Sequence, residues 1–429
     1  MKVKLVKKSY SDVMRLPLPK HQKPRRMGFF FKNLIKLLSV FNLRHHHVSY
    51  REHGMERLGK KEPCLVLMNH SGFIDMQIAA NYLYPRSFST VCTTDAYVGL
   101  SWILRRIGCI PTQKFVSDFN LIKDMSYALN ELKTTVLMYP EAIYSFDGTA
   151  SALPDTIGKL LKLLKVPVVT IITEGAFSRE PLYNMLQHRK VDVSADVTYL
   201  LSPEDILNLS SSELNQKIRE AFSFDAFRWQ QENQIKITED FRADGLERVL
   251  YKCPHCHAEG EAEGKGIYWT CNHCHKQYEL AELGFLKALD GDSAFTHIPD
   301  WYRWERAEVC REIAEGNYSL DIDVSIYMMV DYKALYEVGD GRLVHNADGF
   351  HLTGCEGELD YTQTSIAAYT ANSDYYFYEI GDVISIGNKR HIFYCFPKSK
   401  QTVVAKVKMA AEELYKIKHA ELRQSKMQK

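Results

Sequence analysis

Long apolar runs are scarce in this 429-residue chain. The most apolar stretch, Met27 to Phe41, is broken by Lys32 and Lys36 and is too short to span a bilayer. It also lies too far from Met1, and carries too much charge, to read as a secretory signal. Net charge is nearly absent, at +1, but unevenly spread. Residues 1–50 hold twelve Lys/Arg against one acid, Asp12, a net of +11 that leaves the remainder at −10. A basic arm on a mildly acidic body suggests an anionic partner, membrane or nucleic acid. A disulfide framework is missing as well. Of ten cysteines, four form a metal-type pattern and the others, Cys64, Cys92, Cys109, Cys310, Cys355 and Cys395, stand singly. That usage suits a reducing compartment. Hydrophobic content of 45% and charged content of 25% are ordinary for a folded chain, and the length predicts two or three domains.

One short stretch organises the rest. The apolar run Cys64–Met68 reads as a buried strand, and Asn69-His70-Ser71-Gly72-Phe73-Ile74-Asp75 follows it directly. On one helix, five residues would separate His70 and Asp75 by about 140°. They meet only if the chain turns between them, which Gly72 allows. A carboxylate on one imidazole nitrogen fixes the tautomer and leaves the other nitrogen as a base. Alone, the pair also fits a strand-end histidine beside an unrelated helix start.

In the arm, Met27–Phe41 fits a helix lying in a membrane interface, with Lys32, Lys36 and Ser39 on one stripe facing headgroups. The same pattern also fits an amphipathic helix packed on the protein's own core. The triplet His45-His46-His47 reads as a solvated or headgroup-level turn.

From residue 62 to about 200, strands and helices alternate. Strands are expected at 64–68, 87–93, 134–139, 166–172 and 190–199, and helices at 72–84, 98–106, 117–132, 157–165 and 203–222. This predicts an α/β domain, a mixed sheet covered by helices, with its ligand loops beyond strand ends. Here the residues carry a resemblance. Asn69-His70 with Asp75 is similar to the His-x4-Asp signature of the glycerolipid acyltransferases, the 1-acylglycerol-3-phosphate acyltransferase family. Three further blocks follow in that family's order: Gly108–Lys114, Tyr139-Pro140-Glu141 against its Phe-Pro-Glu-Gly, and Val166-Pro167-Val168-Val169. The resemblance spans roughly residues 60–175.

It implies a peripheral enzyme on the cytoplasmic membrane face. An acyl chain would move from acyl-CoA or acyl carrier protein to a hydroxyl of a lysophospholipid such as 1-acylglycerol-3-phosphate. His70 would be the general base and Asp75 its orienting partner. Gly72, Lys114, Pro140 and Glu141 are the implied substrate-binding positions, and amides near Gly72 are candidate oxyanion donors. Two departures bear on the acceptor. The third motif usually continues Glu-Gly-Thr-Arg-Ser, but here reads Glu141-Ala142-Ile143-Tyr144-Ser145, so the phosphate-holding arginine is a tyrosine. In the second motif, Lys114 stands where arginine is usual; it can bind phosphate as a point charge without a bidentate fork. The alternative is a non-catalytic lipid-binding or scaffold protein on the same fold, although such a copy has no chemical need for both His70 and Asp75.

Farther on, Cys253-Pro-His-Cys256 and Cys271-Asn-His-Cys274 give C-x2-C-x14-C-x2-C, the pattern of a four-thiolate structural zinc ribbon. Four cysteines complete the shell, so no catalytic role is expected. Glu259, Glu261 and Glu263 make one edge acidic, which disfavours nucleic acid. Residues 281–429 carry short β-rich runs punctuated by Gly, Asn and Asp, then an amphipathic helix over 402–423, an order similar to a pleckstrin-homology-like barrel. The expected organisation is a basic arm and interfacial helix at 1–60, the acyltransferase domain at 61–229, a linker at 230–250, the ribbon at 251–280 and the β-rich domain at 281–429. Membrane phospholipids and the acyl donor are the expected partners.

Overall fold

The computed structural model describes residues 3–43, 48–116, 118–399 and 403–427; the His45–His47 triplet lies outside them. The chain divides into two compact units. One comprises Lys20–Leu182 and Leu186–Asn233, the other Met1–Pro19, Tyr183–Met185 and Gln234–Lys429. The arm is therefore shared. Its first part, with strand β1 (Leu5–Lys7) and helix α1 (Tyr10–Met14), goes with the second unit, and helix α2 (Phe29–Leu43) with the first.

The first unit is built on seven strands: β2 (Ser49–His53), β3 (Leu65–Met68), β4 (Phe88–Thr93), β5 (Ile110–Thr112), β6 (Thr135–Met138), β7 (Val168–Glu174) and β8 (Ser194–Leu201). Their order is β2-β8-β7-β3-β6-β4-β5. Every neighbouring pair is parallel except β7 with β8, so the sheet is mixed as expected. β3 and β6 are buried along their whole lengths, which is why they read as unbroken apolar runs. The sheet begins at Ser49, inside the segment expected to be an arm. The polar sequence of β2, with Arg51 paired to Glu174 and Asp196, hid this edge strand.

The helices are α3 (Asp75–Leu83), α4 (Ser101–Arg106), α5 (Phe119–Asn130), α6 (Ile157–Leu164), α7 (Ala176–Arg179), α8 (Pro203–Asn208), α9 (Ser211–Ala221) and α10 (Ala226–Glu232). The single helix expected over 203–222 is two. Ser210 starts the second with a capping box: its Oγ accepts from Glu213 N (3.2 Å) and its own amide donates to Glu213 Oε2 (2.7 Å).

Helix α2 corrects the arm's expected orientation. Lys32 donates to Pro85 O (3.2 Å), Lys36 to Asn81 O (3.1 Å), and Ser39 is buried. The polar stripe faces the protein, because carbonyls at the end of α3 supply acceptors for the ammonium groups. Phe29, Phe30, Leu37, Leu38 and Phe41, over the other half of the circumference, are exposed. No helix among the described residues is long and apolar enough to cross a membrane.

In the second unit, β9 (Ala262–Lys265), β10 (Tyr268–Cys271), β11 (Gln277–Leu280) and β12 (Leu286–Ala288) form a four-stranded antiparallel sheet carrying the cysteines. Helix α11 (Ile298–Ala314) packs on it through indoles. Trp269 and Trp301 are 4.8 Å apart, and their Nε1 groups donate to Leu250 O and Lys252 O. Residues 237–250, expected within a linker, are instead packed: Leu246, Val249 and Leu250 have no exposed surface. The short hydrophobic spacing among polar residues concealed this. Beyond α11, β13 (Leu320–Met329), β14 (Leu335–Asn346), β15 (Gly349–Gly354), β16 (Leu359–Thr364), β17 (Asn372–Phe377), β18 (Gly381–Gly387) and β19 (Ile392–Pro397) form an antiparallel sheet ordered β16-β15-β14-β13-β19-β18-β17. β1 adds to it in parallel on β14, and helix α12 (Val404–Met427) follows. β14 runs through Gly339 opposite a register shift between Ile326 and Tyr327 of β13.

Candidate active site

β7, β3 and β6 lie side by side and parallel at the centre of the sheet. Their C-terminal ends deliver Thr173, His70 and Tyr139–Glu141 to one place, the usual location of ligand sites in such sheets. Asn69 ties two of these ends together: its Nδ2 donates to Thr173 O (3.1 Å), and its Oδ1 accepts from Thr173 N (2.8 Å).

Asp75 is the first residue of α3 and has no exposed surface. Its Oδ2 accepts from the amides of Ser71 (2.7 Å) and Gly72 (3.0 Å), so the chain folds back between His70 and Asp75. The same oxygen lies 3.3 Å from His70 Nδ1. An ionised carboxylate already accepting from two amides can only accept from a third group. Nδ1 therefore carries the proton, and Nε2 holds the free lone pair. Thr173 Oγ1, 3.2 Å from Asp75 Oδ1, holds the carboxylate from the other side.

Residues 49–174 match the acyltransferase family. The crystal structure of the 1-acyl-sn-glycerophosphate (LPA) acyltransferase PlsC from Thermotoga maritima aligns with 45% of this chain and 77% of its own. The identity is 16% and the TM-score 0.34, too low to rest an argument on. No curated protein matches the chain.

In the segment that matches this family, His70 lies between two aromatic rings. Tyr139 stacks on it with centroids 4.2 Å apart and Tyr144 with centroids 4.0 Å apart; rings this close must occupy opposite faces. Burial lowers the pKa of His70, with Lys114 adding to the effect and Asp75 opposing it, so the imidazole is neutral near pH 7. About a fifth of the side chain, 22%, remains exposed. If a proton arrives on Nε2, the imidazolium meets Asp75 at one end and two π-faces above and below, both of which favour the charged form.

The other expected site residues fall into two groups. Lys114, in the turn after β5, is near enough to act electrostatically on His70. Gly72, Pro140 and Glu141 are buried. Glu141 accepts from His70 N (3.0 Å) and Ser151 N (2.6 Å) and, with no exposed surface, ties the turn together. The amide of Gly72 is likewise turned onto Asp75, away from any oxyanion. Ala142 takes the place of the motif's glycine yet keeps a left-handed conformation, φ +60°. Sequence reasoning missed Thr173 and the tyrosine sandwich. Thr173 was findable as the end of a strand beside β3, whereas the stacking of Tyr144 depends on a loop path no local pattern encodes.

In the second unit, the sulfurs of Cys253, Cys256, Cys271 and Cys274 lie within 4.8 Å of one another. Cys253 and Cys274 Sγ are 3.7 Å apart, as are those of Cys256 and Cys271. A tetrahedral site with metal–sulfur bonds of about 2.3 Å places its sulfurs roughly 3.8 Å apart. A disulfide would need about 2.05 Å. The donor set therefore fits a four-thiolate metal ion.

Proposed function

We propose that the first unit transfers an acyl chain from a thioester, acyl-CoA or acyl carrier protein, to a hydroxyl of a membrane lipid such as a lysophospholipid. The observation that carries this is the His70–Asp75 pair, held by buried hydrogen bonds within the segment that matches the acyltransferase family. His70 Nε2 takes the acceptor's hydroxyl proton as that oxygen bonds the acyl carbon. The carbon–sulfur bond breaks, and the proton passes on to the departing thiolate. Asp75 holds the imidazole and balances its transient charge. General-base help of this kind is worth on the order of 10²–10⁴ in rate. Lys114 would hold an anionic group of the acceptor as a point charge. With Tyr144 stacked on His70 where the motif has arginine, a second cation from that position is missing, which favours acceptors with a less demanding headgroup than 1-acylglycerol-3-phosphate.

The chain would work as a peripheral protein on the cytoplasmic membrane face. The apolar face of α2 supports this, as do exposed Trp102 and Ile103 on α4, with Trp102 6.5 Å from Phe31 of α2. Zinc is the ion that best suits four thiolates, and it would be structural, since no ligand position is left open. The strand order and terminal helix of the β-rich region suit a pleckstrin-homology-like module.

The test is transfer from labelled acyl-CoA and acyl carrier protein to a panel of lysophospholipids and other hydroxyl lipids in liposomes, wild type beside His70→Ala. Transfer lost in the variant supports the reading. No transfer to any acceptor by folded, metal-loaded protein favours the lipid-binding scaffold, whose support is the altered third motif around Tyr144.

A further inference from the structure

Four of the five amides from His70 to Ile74 donate to a buried carboxylate. His70 N donates to Glu141, and Ser71 N and Gly72 N to Asp75. Ile74 N donates to Glu180 Oε1 at 2.5 Å. Glu180 follows α7, far along the chain from the turn, and is 2% exposed. Its packing accounts for Gly72: a Cβ there would sit 2.9 Å from Glu180 Cγ and 3.1 Å from Ala176 O. Helix α3 starts at Asp75, and Ile74, its capping residue, offers no side-chain acceptor. Glu180 supplies to the Ile74 amide, from another element, the acceptor that the third helical residue supplies in a capping box.

We propose that Glu180 is a positioning residue for acyl transfer, fixing the Phe73–Ile74 half of the turn whose other half Asp75 fixes, and so setting the His70–Asp75 geometry. This rests on the acyl-transfer reading above. Without Glu180, the Ile74 amide at the head of α3 loses its acceptor, and the backbone leading into Asp75 loses a restraint. The charged groups facing Glu180 are Asp75 on α3, Arg179 beside it and His188 in the following loop. His188 Nδ1 is 3.2 Å from Glu180 Oε2 and 3.4 Å from Arg179 Nη2. An Nδ1 that accepts from the guanidinium has no proton to offer Oε2, so His188 gives an ionised Glu180 no support. Burial pushes the Glu180 carboxyl up to about 7, and this agrees. With the proton on Oε2, Oε1 remains free to accept from Ile74, so the clamp holds on either side of neutrality.

The test uses the full chain with Glu180→Ala and Glu180→Gln, in two measurements. The first is transfer from acyl-CoA to the lipid that wild type accepts, across roughly pH 5.5–9, which spans the ionisations involved. Glu180→Ala should lower kcat on the order of ten- to a hundredfold with KM little changed, as misplacement of a base does. Glu180→Gln retains an acceptor for Ile74. It should recover kcat to within about threefold and lose the ionisation near neutrality from the pH profile. The second is hydrogen exchange at the Ile74 amide, which should quicken in Glu180→Ala and not in His70→Ala. Wild-type kcat in Glu180→Ala, or unchanged exchange at Ile74, overturns the proposal. If Glu180→Ala does not fold, a Glu180→Gln profile superimposable on wild type overturns it. If wild type transfers nothing, the acyl-transfer reading falls, while the exchange measurement still decides whether Glu180 holds the turn.

Discussion

Asp75→Asn separates the charge of the orienting carboxylate from its shape. The side chain is nearly isosteric and fully buried, and its Oδ can still accept from the Ser71 and Gly72 amides. What is lost is the negative charge 3.3 Å from His70 Nδ1 when the imidazole takes a proton. At an effective dielectric constant of about 20, two unit charges at that distance attract by roughly 5 kcal/mol. Part of this is offset in the folded protein by the cost of keeping Asp75 ionised without water, so about 2–4 kcal/mol should appear in the barrier. At about 1.4 kcal/mol per tenfold, that is roughly 30- to 1000-fold in kcat. KM should stay close to wild type, because the charge acts only as the proton moves. Single-turnover transfer from labelled acyl-CoA in liposomes measures the step directly, with circular dichroism to show that the fold is kept. A kcat within threefold of wild type would refute the assigned role of Asp75, and a loss confined to KM would make it a binding residue.

Four further outcomes are expected. Ala142→Gly should stabilise the first unit by about 0.5–1 kcal/mol, because glycine adopts φ +60° without strain, and thermal unfolding checks it. Glu180→Gln should gain stability over wild type as pH rises. The folded pKa of about 7 exceeds the ordinary carboxylate value, so ionisation costs the folded state progressively from about pH 4.5 to 7 and the full amount above that; urea melts at pH 5 and pH 8 should differ in the mutational effect by roughly 2–4 kcal/mol. Native mass spectrometry should find one zinc per chain, and a strong chelator or Cys271→Ser should lower the melting point of the second unit, a result that fails if the apo and loaded forms melt together. Leu37→Asp with Phe41→Asp should abolish flotation with anionic liposomes while leaving the fold intact, since both side chains face outward.

Much of the site was legible in the chain because its signals are local. A strand that ends in Asn69-His70, a glycine that lets the chain reverse and an aspartate opening the next helix all lie within seven residues. The two cysteine knuckles are likewise short loops whose spacing is set by one ion's shell. The buried strands announced themselves because parallel strands covered on both faces are apolar throughout. Where the signal was polar or split, it misled. β2 is an edge strand paired through charged side chains, and residues 237–250 bury Ile237, Ala243, Leu246, Val249 and Leu250 among polar neighbours. The periodicity of α2 was correctly amphipathic, but its polar stripe turned inward, since a pattern of faces says nothing about which face finds partners.

By itself the sequence determined the four-thiolate cluster and the mixed α/β sheet and put His70 and Asp75 within one turn of each other, because each depends on residues close together or on a repeated burial pattern. Only the tertiary structure decided what surrounds the base. Thr173 reaches Asp75 from β7, Glu180 reaches the turn from α7, and Tyr139 and Tyr144 close on His70 from the loop after β6. These contacts join segments that are distant along the chain, brought together by the parallel order β7-β3-β6. A hydrogen bond between distant residues leaves no periodic trace in either of them, so the fold has to be built before the partners of His70 can be named.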